Sequence, residues 1–216
     1  MSSTNHKGRY SVPTEEDFEP GSNQQVLKNY AGITSKTVIE TLEAVKLAET
    51  ELAIIGHPYF NQQHQFTAQD LCDIHEFWLG DVYAFAGKYR TVSMSKDGFP
   101  FASPAQVPQL IQNLETKYLK QYTPCNLDQP EQLAYALGIV HVEFILIHPF
   151  REGNGRIARL LADLMVMQAG RPSLDFTSIE QIAHEPGFKN YILAIHAGHD
   201  GNYKPIQAIF SSLIEK

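Results

Sequence analysis

The amino-acid sequence predicts an all-α domain that carries one small β-hairpin. Apolar residues recur at steps of three and four along most of the chain, which is the spacing of a helix face. One segment instead combines short extended runs with an Asp-Gly pair, which is typical of a hairpin turn. Residues 1–25 are polar and contain two prolines and two glycines, so we expect an irregular arm before a domain over residues 26–216.

Three helices are predicted before the middle of the chain. The first follows a cap at Thr34 or Ser35, and its apolar residues at helical spacing are Val38, Leu42, Val45 and Leu52. The second starts at the N-cap Thr67, and the residues that it is expected to bury are Leu71, Ile74 and Trp78. The third covers residues 103–119 and has a proline in its first turn, where proline is accepted.

The hairpin is predicted over residues 90–102. Val92 and Met94 alternate with polar residues before the pair Asp97-Gly98. Asp-Gly favours a two-residue hairpin turn because both residues tolerate a positive φ.

The strongest helical pattern lies in residues 130–147. Its apolar residues at helical spacing are Leu133, Leu137, Val140, Phe144 and Ile147. A pattern this long and apolar predicts a buried central helix. The next helix continues with Ile157, Leu160, Leu161 and Leu164, and two further helices are predicted near 186–197 and 203–215.

Composition narrows the class of protein. The net charge of −7 does not favour a basic surface, so no direct nucleic-acid binding is expected. No run of about 18 apolar residues occurs, so no membrane association is expected. Cys72 and Cys125 form no CxxC unit, which favours two reduced thiols and a cytoplasmic location.

The stretch HPFREGNGRIAR, residues 148–159, combines side chains suited to phosphate chemistry. His148 precedes a proline, so the central helix should end there. The glycines around Asn154 favour a nest of backbone N–H groups at the start of the next helix, which attracts anions. Arg156 and Arg159 are neighbours on that helix, and the planar fork of arginine suits phosphate.

Two further side chains complete this chemistry. Glu152 supplies a hard oxygen ligand suited to Mg²⁺, and His148 can accept a proton near neutral pH. Each residue alone has an ordinary structural interpretation, as a helix cap, a turn or a solvated arginine. Their combination within one short stretch behind a buried helix favours transfer of a phosphorus-containing group from a nucleotide.

The same residues resemble the signature of Fic-domain proteins, HxFx(D/E)GN(G/K)RxxR, and every specified position matches. The segment FAGKYRTVSMSKDGFPFAS also resembles the flap hairpin of that family, and residues 25–210 resemble its helical core. The resemblance implies transfer of AMP from the co-substrate ATP to a hydroxyl side chain of a target protein, with release of pyrophosphate.

The resemblance also implies a role for each site residue. His148 would activate the target hydroxyl, and Glu152 would hold Mg²⁺ on the phosphates. Gly153, Asn154 and Gly155 would form the anion hole, and Arg156 and Arg159 would hold the β- and γ-phosphates. The hairpin would pair with an extended segment of the target, with Lys96 near the nucleotide. Asn190 and Tyr191 would line the adenine or ribose pocket.

Other polar residues have structural interpretations that are favoured over metal binding. His141 and Glu143 on the central helix are expected to make structural hydrogen bonds. His184, His196 and His199 lack a convincing ligand spacing.

Fic proteins are commonly inhibited by a glutamate in an (S/T)xxxE(G/N) helix, which pairs with the second arginine, here Arg159. Ser11 with Glu15, and Ser211 with Glu215, have the spacing, but neither is followed by Gly or Asn. We therefore expect a small separate antitoxin to supply the glutamate, with Glu215 as the alternative.

Three other functions remain open. The first is transfer of phosphate, UMP or phosphocholine, although the kinase-like relatives usually carry Lys in place of Gly155. The second is a non-catalytic adaptor, and the third is removal of AMP. The target is expected to be a topoisomerase such as gyrase if the protein is a bacterial toxin, whereas secreted effectors of the family modify host GTPases.

Overall fold

The computed structural model describes residues 17–55, 57, 60–179 and 186–215. Its helices are α1 Lys36–Ile55, α2 Ala68–Leu79, α3 Val107–Leu114, α4 Lys120–Tyr122, α5 Pro130–Ile147, α6 Asn154–Gln168, α7 Pro186–His199 and α8 Lys204–Ile214. A two-stranded antiparallel sheet joins β1 Ser95–Lys96 to β2 Phe99–Pro100. The predicted all-α fold with one small hairpin is confirmed.

Helix α5 is the centre of the packing, as its apolar pattern predicts. It contacts α3, α6, α7 and α8, and all five of its predicted apolar residues are buried. By length and composition alone α5 could cross a membrane, but 67% of it is buried inside the protein. That burial is what the core helix of a globular fold shows.

Helix α1 forms where it is predicted, but a different side of it is buried. The buried residues are Ile39, Glu43, Thr50 and Ile54, whereas Val38, Val45 and Leu52 are exposed. Glu43 faces inward because Arg156 and the Tyr83 hydroxyl bind its carboxylate. These polar contacts orient the helix against its own hydrophobic pattern.

The third predicted helix is interrupted. It begins with a 3₁₀ turn at Pro104–Gln106, continues as α3, and passes through a π-helical turn at Glu115–Leu119 into α4. Such single turns break a helix without ending it.

The hairpin turn has the predicted backbone. Asp97 has a φ of 50° and Gly98 a φ of 84°, and Lys96 pairs with Phe99 across the turn. With only two residues per strand, the ladder alone is a weak support for this hairpin.

The arm before the domain is described only from residue 17. Phe18 pairs with Leu27 in an isolated antiparallel bridge, so the described part of the arm is attached to the domain. The sequence pair Ser11 and Glu15 lies outside the described residues, as does His184. Cys72 and Cys125 are buried and free.

Candidate active site

A cavity of about 310 Å³ lies where the end of α5, the start of α6, helix α7 and the hairpin meet. The predicted site residues that line it are Lys96, His148, Glu152, Gly153, Gly155, Arg156, Arg159 and Tyr191. Asn154 and Asn190 do not line it. The structure therefore brings together most of the residues of the 148–159 stretch with the hairpin lysine.

His148 ends α5 in a left-handed conformation, with φ 52° and ψ 59°. Its Nδ1 lies 3.1 Å from the carbonyl oxygen of Ile145. Since a carbonyl only accepts hydrogen bonds, Nδ1 carries the ring proton and the lone pair of the neutral ring lies on Nε2. The backbone thus fixes the tautomer that a general base needs.

The ring of His148 is enclosed by protein. Phe101, which follows β2, stacks on it with ring centroids 3.7 Å apart. Burial lowers the pKa of His148 to about 3, and the nearby positive charge of Arg90 adds to this. The histidine is therefore neutral over the physiological pH range.

The turn between α5 and α6 is held by Asn154. Its side chain accepts a hydrogen bond from the Phe150 N–H at 2.8 Å and donates one to the Phe150 carbonyl at 2.8 Å. Asn154 is fully buried, so its amide braces the turn from inside. Because its side chain is bonded to Phe150, Asn154 can offer an anion only its backbone N–H. That N–H lies in the first turn of α6, where backbone N–H groups have no acceptor within the helix.

Gly153 caps the start of α6 in a left-handed conformation, with a φ of 83°. A Cβ at this position would lie 2.5 Å from Cζ3 of the buried Trp78. Position 153 therefore requires glycine for two reasons: the backbone has a positive φ, and the Trp78 ring leaves no room for a Cβ.

We expect Gly153→Ala to lower the free energy of unfolding by about 2 kcal/mol, because it adds both left-handed strain and a clash. Urea denaturation measures this. Gly155→Ala is the matched control, since its Cβ would meet only the Arg159 guanidinium at 3.8 Å. Equal losses for the two variants would contradict the assignment.

His75 on α2 supports the same turn. The sequence alone did not predict this role. Its Nδ1 accepts the Gly87 N–H at 2.9 Å, and its Nε2 donates to the Glu152 carbonyl at 3.0 Å. The ring stacks on Phe150 with centroids 4.0 Å apart. Burial lowers the pKa of His75 to about 4, so this neutral ring positions the backbone that carries Glu152.

Arg156 lies between two carboxylates and an aromatic ring. It pairs with Glu43 at 2.8 Å and with Glu152 at 3.1 Å, and its guanidinium lies 4.6 Å from the centroid of the Trp78 ring. Glu43 also accepts the Tyr83 hydroxyl at 2.5 Å. The side chain of Arg156 is therefore fixed, and its charge is already balanced within the protein.

Arg159 lines the cavity one turn further along α6, and within the described residues it makes no ion pair. No hydrogen bond or ion pair links Glu215 at the end of α8 to Arg159 in this described part of the chain. Unlike Arg156, Arg159 therefore has no carboxylate in direct contact within the described residues, although Glu51 on α1 is close enough to interact with its charge.

Helix α7 contributes Tyr191 to the cavity. Tyr191 is buried, and its hydroxyl donates to His141 Nε2 at 2.8 Å, as the expected structural role of His141 requires. Asn190 is exposed on another side of the helix. Glu143 accepts a hydrogen bond from the Tyr203 hydroxyl.

The hairpin is attached to α7 by aromatic contacts. Phe99 stacks on His196 with centroids 4.4 Å apart and meets His199 edge-on at 5.7 Å. Lys96 lies 5.3 Å from the centroid of the Phe188 ring, a cation–π contact. These contacts close the cavity on the hairpin side.

Arg90 links both ends of the hairpin to His148, and no sequence pattern predicts this role. Its buried guanidinium donates to the carbonyls of Val92 and Ala102 on either side of the hairpin, and its Nε donates to the carbonyl of His148 at 2.6 Å. Movement of the hairpin is therefore coupled to the position of His148.

Glu152 is the candidate ligand for a divalent metal. Its carboxylate lies at the cavity wall, and Oε1 accepts the Gly153 N–H at 2.8 Å. The described residues contain no group of three His, Cys, Asp or Glu side chains that could hold a metal. The donor set thus fits an ion shared with phosphate oxygens, which is how Mg²⁺ is usually held beside nucleotides.

The buried histidines predict the pH dependence of stability. Burial lowers the pKa of His141 and His148 to about 3, against about 6.5 in an unfolded chain. Below pH ~6.5 the unfolded chain binds protons that the folded chain does not, so this stability is complete above pH ~6.5 and is lost as pH falls.

We therefore expect the free energy of unfolding to fall between pH 7 and pH 4 in urea titrations. In His141→Gln the slope should be shallower by about 1.4 kcal/mol per pH unit at the acid end of this range. An identical slope in the wild type and the variant would contradict the neutral state of the buried ring.

Comparison with known proteins agrees with the site. Residues 65–166 match the sequence model of the Fic/DOC family. Protein adenylyltransferase fic-1 of Caenorhabditis elegans is 26% identical over 187 residues, which cover 86% of this chain and 34% of the relative. Protein adenylyltransferase VbhT of Bartonella schoenbuchensis is 29% identical over 160 residues, 72% of this chain and 32% of the relative. The chain spans about a third of the length of these curated relatives.

Solved structures share the fold. The BepC effector protein of Bartonella tribocorum with bound AMPPNP has a TM-score of 0.72 at 23% identity and covers 91% of this chain and 95% of its own. An N-terminal Fic domain from Bartonella quintana with bound ADP has a TM-score of 0.73 at 23% identity, covering 91% and 93%. Residues 65–166, just under half of this chain, are thus similar to the Fic/DOC family, and the chain shares the fold of these two solved structures.

Proposed function

We propose that this protein is an adenylyltransferase, which transfers AMP from ATP to a hydroxyl side chain of a target protein. The observation that carries the proposal is the neutral, tautomer-fixed His148, which lines the same cavity as the start of α6 and Arg159. The names of the relatives, protein adenylyltransferase, support the choice of AMP.

His148 acts as the general base in this proposal. The target hydroxyl oxygen attacks the α-phosphorus of ATP, and its proton passes to Nε2 of His148. The bond from the α-phosphorus to the oxygen that bridges to the β-phosphate breaks, and pyrophosphate leaves with the electron pair. AMP remains on the target oxygen.

The start of α6 holds the phosphates. The first N–H groups of the helix and its positive end face a negative charge favourably, and Gly153 and Gly155 allow the backbone to approach closely. Arg159 binds the outer phosphates, whereas Arg156 shares its charge with Glu43 and Glu152. Glu152 would hold Mg²⁺, which when bound neutralises charge on the phosphates.

Lys96 and Phe99 of the hairpin line the cavity. Lys96 would contact the nucleotide from this side. The wall formed by Phe188, Tyr191 and Ile192 offers an apolar and aromatic surface for the base. Asn190 is exposed, so a contact with the nucleotide requires another side-chain orientation.

The regulation and setting of the protein are also proposed. A small antitoxin would place a glutamate against Arg159, and the absence of Gly or Asn after Glu15 and after Glu215 favours a separate inhibitor. The target would dock an extended segment on the hairpin, and gyrase or another topoisomerase subunit is the proposed target of a cytoplasmic bacterial toxin.

The test is a labelling experiment in a bacterial lysate with Mg²⁺. ATP labelled on the α-phosphate and ATP labelled on the γ-phosphate are compared in parallel. Label from the α-phosphate alone on a protein supports AMP transfer. Label from the γ-phosphate means a kinase, and label only from UTP or CDP-choline means another donor. No label from any donor leaves an adaptor or a missing partner as the explanation.

A further inference from the structure

Helix α1 carries a second apolar face that points to solvent. Val38, Val45 and Leu52 are seven residues apart and are 52%, 53% and 76% exposed. Three residues after each of these positions come Thr41, Ala48 and Ile55, respectively, which are also exposed. This is the a and d spacing of a coiled-coil seam, on the side opposite the buried Glu43 and Thr50.

Another exposed apolar side chain lies on α2, which packs against α1. Phe77 on α2 is 66% exposed and lines a cavity of about 280 Å³ with Ala53 and Ile54 of α1. We call the set Val38, Val45, Leu52, Ile55 and Phe77 the α1–α2 face. It holds five of the eight exposed large hydrophobic residues in the described part of the chain. A concentration of this kind marks an interaction site.

The side chains beside this face are acidic. Glu49 and Glu51 occupy the e and g positions that flank the seam on α1, and Asp73 and Glu76 are exposed on α2. Both lysines of α1 are paired with carboxylates, Lys46 with Asp81 at 3.2 Å and Lys36 with Glu40 at 3.9 Å. The edge of the face is therefore negatively charged.

We propose that the α1–α2 face binds an amphipathic helix of a partner protein, apolar at its a and d positions and flanked by Lys and Arg. The seam supplies apolar burial, and the acidic edge selects a basic partner. A second copy of α1 would bring acidic residues against acidic residues, so self-association is disfavoured.

This proposal goes beyond AMP transfer. Glu43, on the inner side of α1, contacts Arg156 of the active site, whereas the seam lies on the outer side. A helix bound to the seam does not enter the cavity, so it is distinct from an inhibitor that blocks Arg159. The face would recruit a partner while the site stays open.

The test uses two fluorescent peptides of about three heptads with identical apolar a and d residues. One carries Lys at e and g, and the other carries Glu there. Binding to the full chain is followed by anisotropy at low and high salt. Leu52→Glu disrupts the face, and Leu193→Glu on α7 is the matched control, since Leu193 is an exposed apolar residue elsewhere.

We expect the Lys peptide to bind at least about tenfold more tightly than the Glu peptide, with an affinity that falls at high salt. Leu52→Glu should weaken this binding about tenfold or more, and Leu193→Glu should not. The proposal is overturned by equal affinity for the two peptides, by no binding of either, or by insensitivity to Leu52→Glu. It is also overturned if the chain alone forms a dimer that Leu52→Glu dissociates.

Discussion

His148→Ala should reduce AMP transfer by about 10²- to 10⁴-fold, the usual contribution of a general base. The physical reason is the ring itself, since Nε2 carries the lone pair that accepts the hydroxyl proton and the Ile145 carbonyl holds the ring in that tautomer. Initial rates of transfer to the target at saturating ATP measure the loss.

ATP affinity is the control for this variant. The phosphate-binding groups on α6 remain in place, so calorimetric titration with ATP should give a dissociation constant within a few fold of the wild type. A variant that transfers AMP at the wild-type rate would show that His148 is not the base. A variant that no longer binds ATP would show that His148 acts mainly in binding.

Glu43→Ala should lower the free energy of unfolding by about 3 kcal/mol, within the range for loss of one partner of a buried ion pair. Glu43 is buried, and its removal leaves Arg156 without one carboxylate and the Tyr83 hydroxyl without its acceptor. Urea denaturation monitored by far-UV circular dichroism measures the change.

Glu43→Gln is the matched variant, because glutamine keeps an acceptor for Tyr83 but removes the charge. Its loss should be smaller than that of Glu43→Ala. Glu40→Ala, at a partly exposed position of the same helix, should change stability by less than about 0.5 kcal/mol. A Glu43→Ala variant as stable as the wild type would show that the pair does not support the fold.

Local signals made part of the fold predictable. The proline after His148 marks the end of α5, and Asp97-Gly98 marks the turn of the hairpin, because each acts on its own backbone. The pattern in α5 was equally reliable, since a helix that is apolar on all sides is buried whichever way it turns.

Tertiary contacts account for what the sequence did not reveal. The buried side of α1 is chosen by Arg156, which lies more than 100 residues away in the chain, and nothing in the helix itself predicts that choice. His75 and Arg90 act on backbone carbonyls of the motif, and such contacts leave no periodic pattern.

The candidate site, like the fold, was predictable from the sequence only in part. The 148–159 stretch is contiguous, so its residues converge on one cavity as expected. On α7, by contrast, Tyr191 faces the cavity and Asn190 does not, because successive residues on a helix point in different directions.

The central claim is that this cavity transfers AMP from ATP, and mass spectrometry of the modified target tests it most directly. The target band from the α-labelled reaction is digested, and the modified peptide is fragmented. The account predicts a mass increment equal to AMP on a hydroxyl side chain, absent when His148→Ala replaces the wild type. An increment equal to a single phosphate, or an AMP increment that persists with His148→Ala, would contradict it.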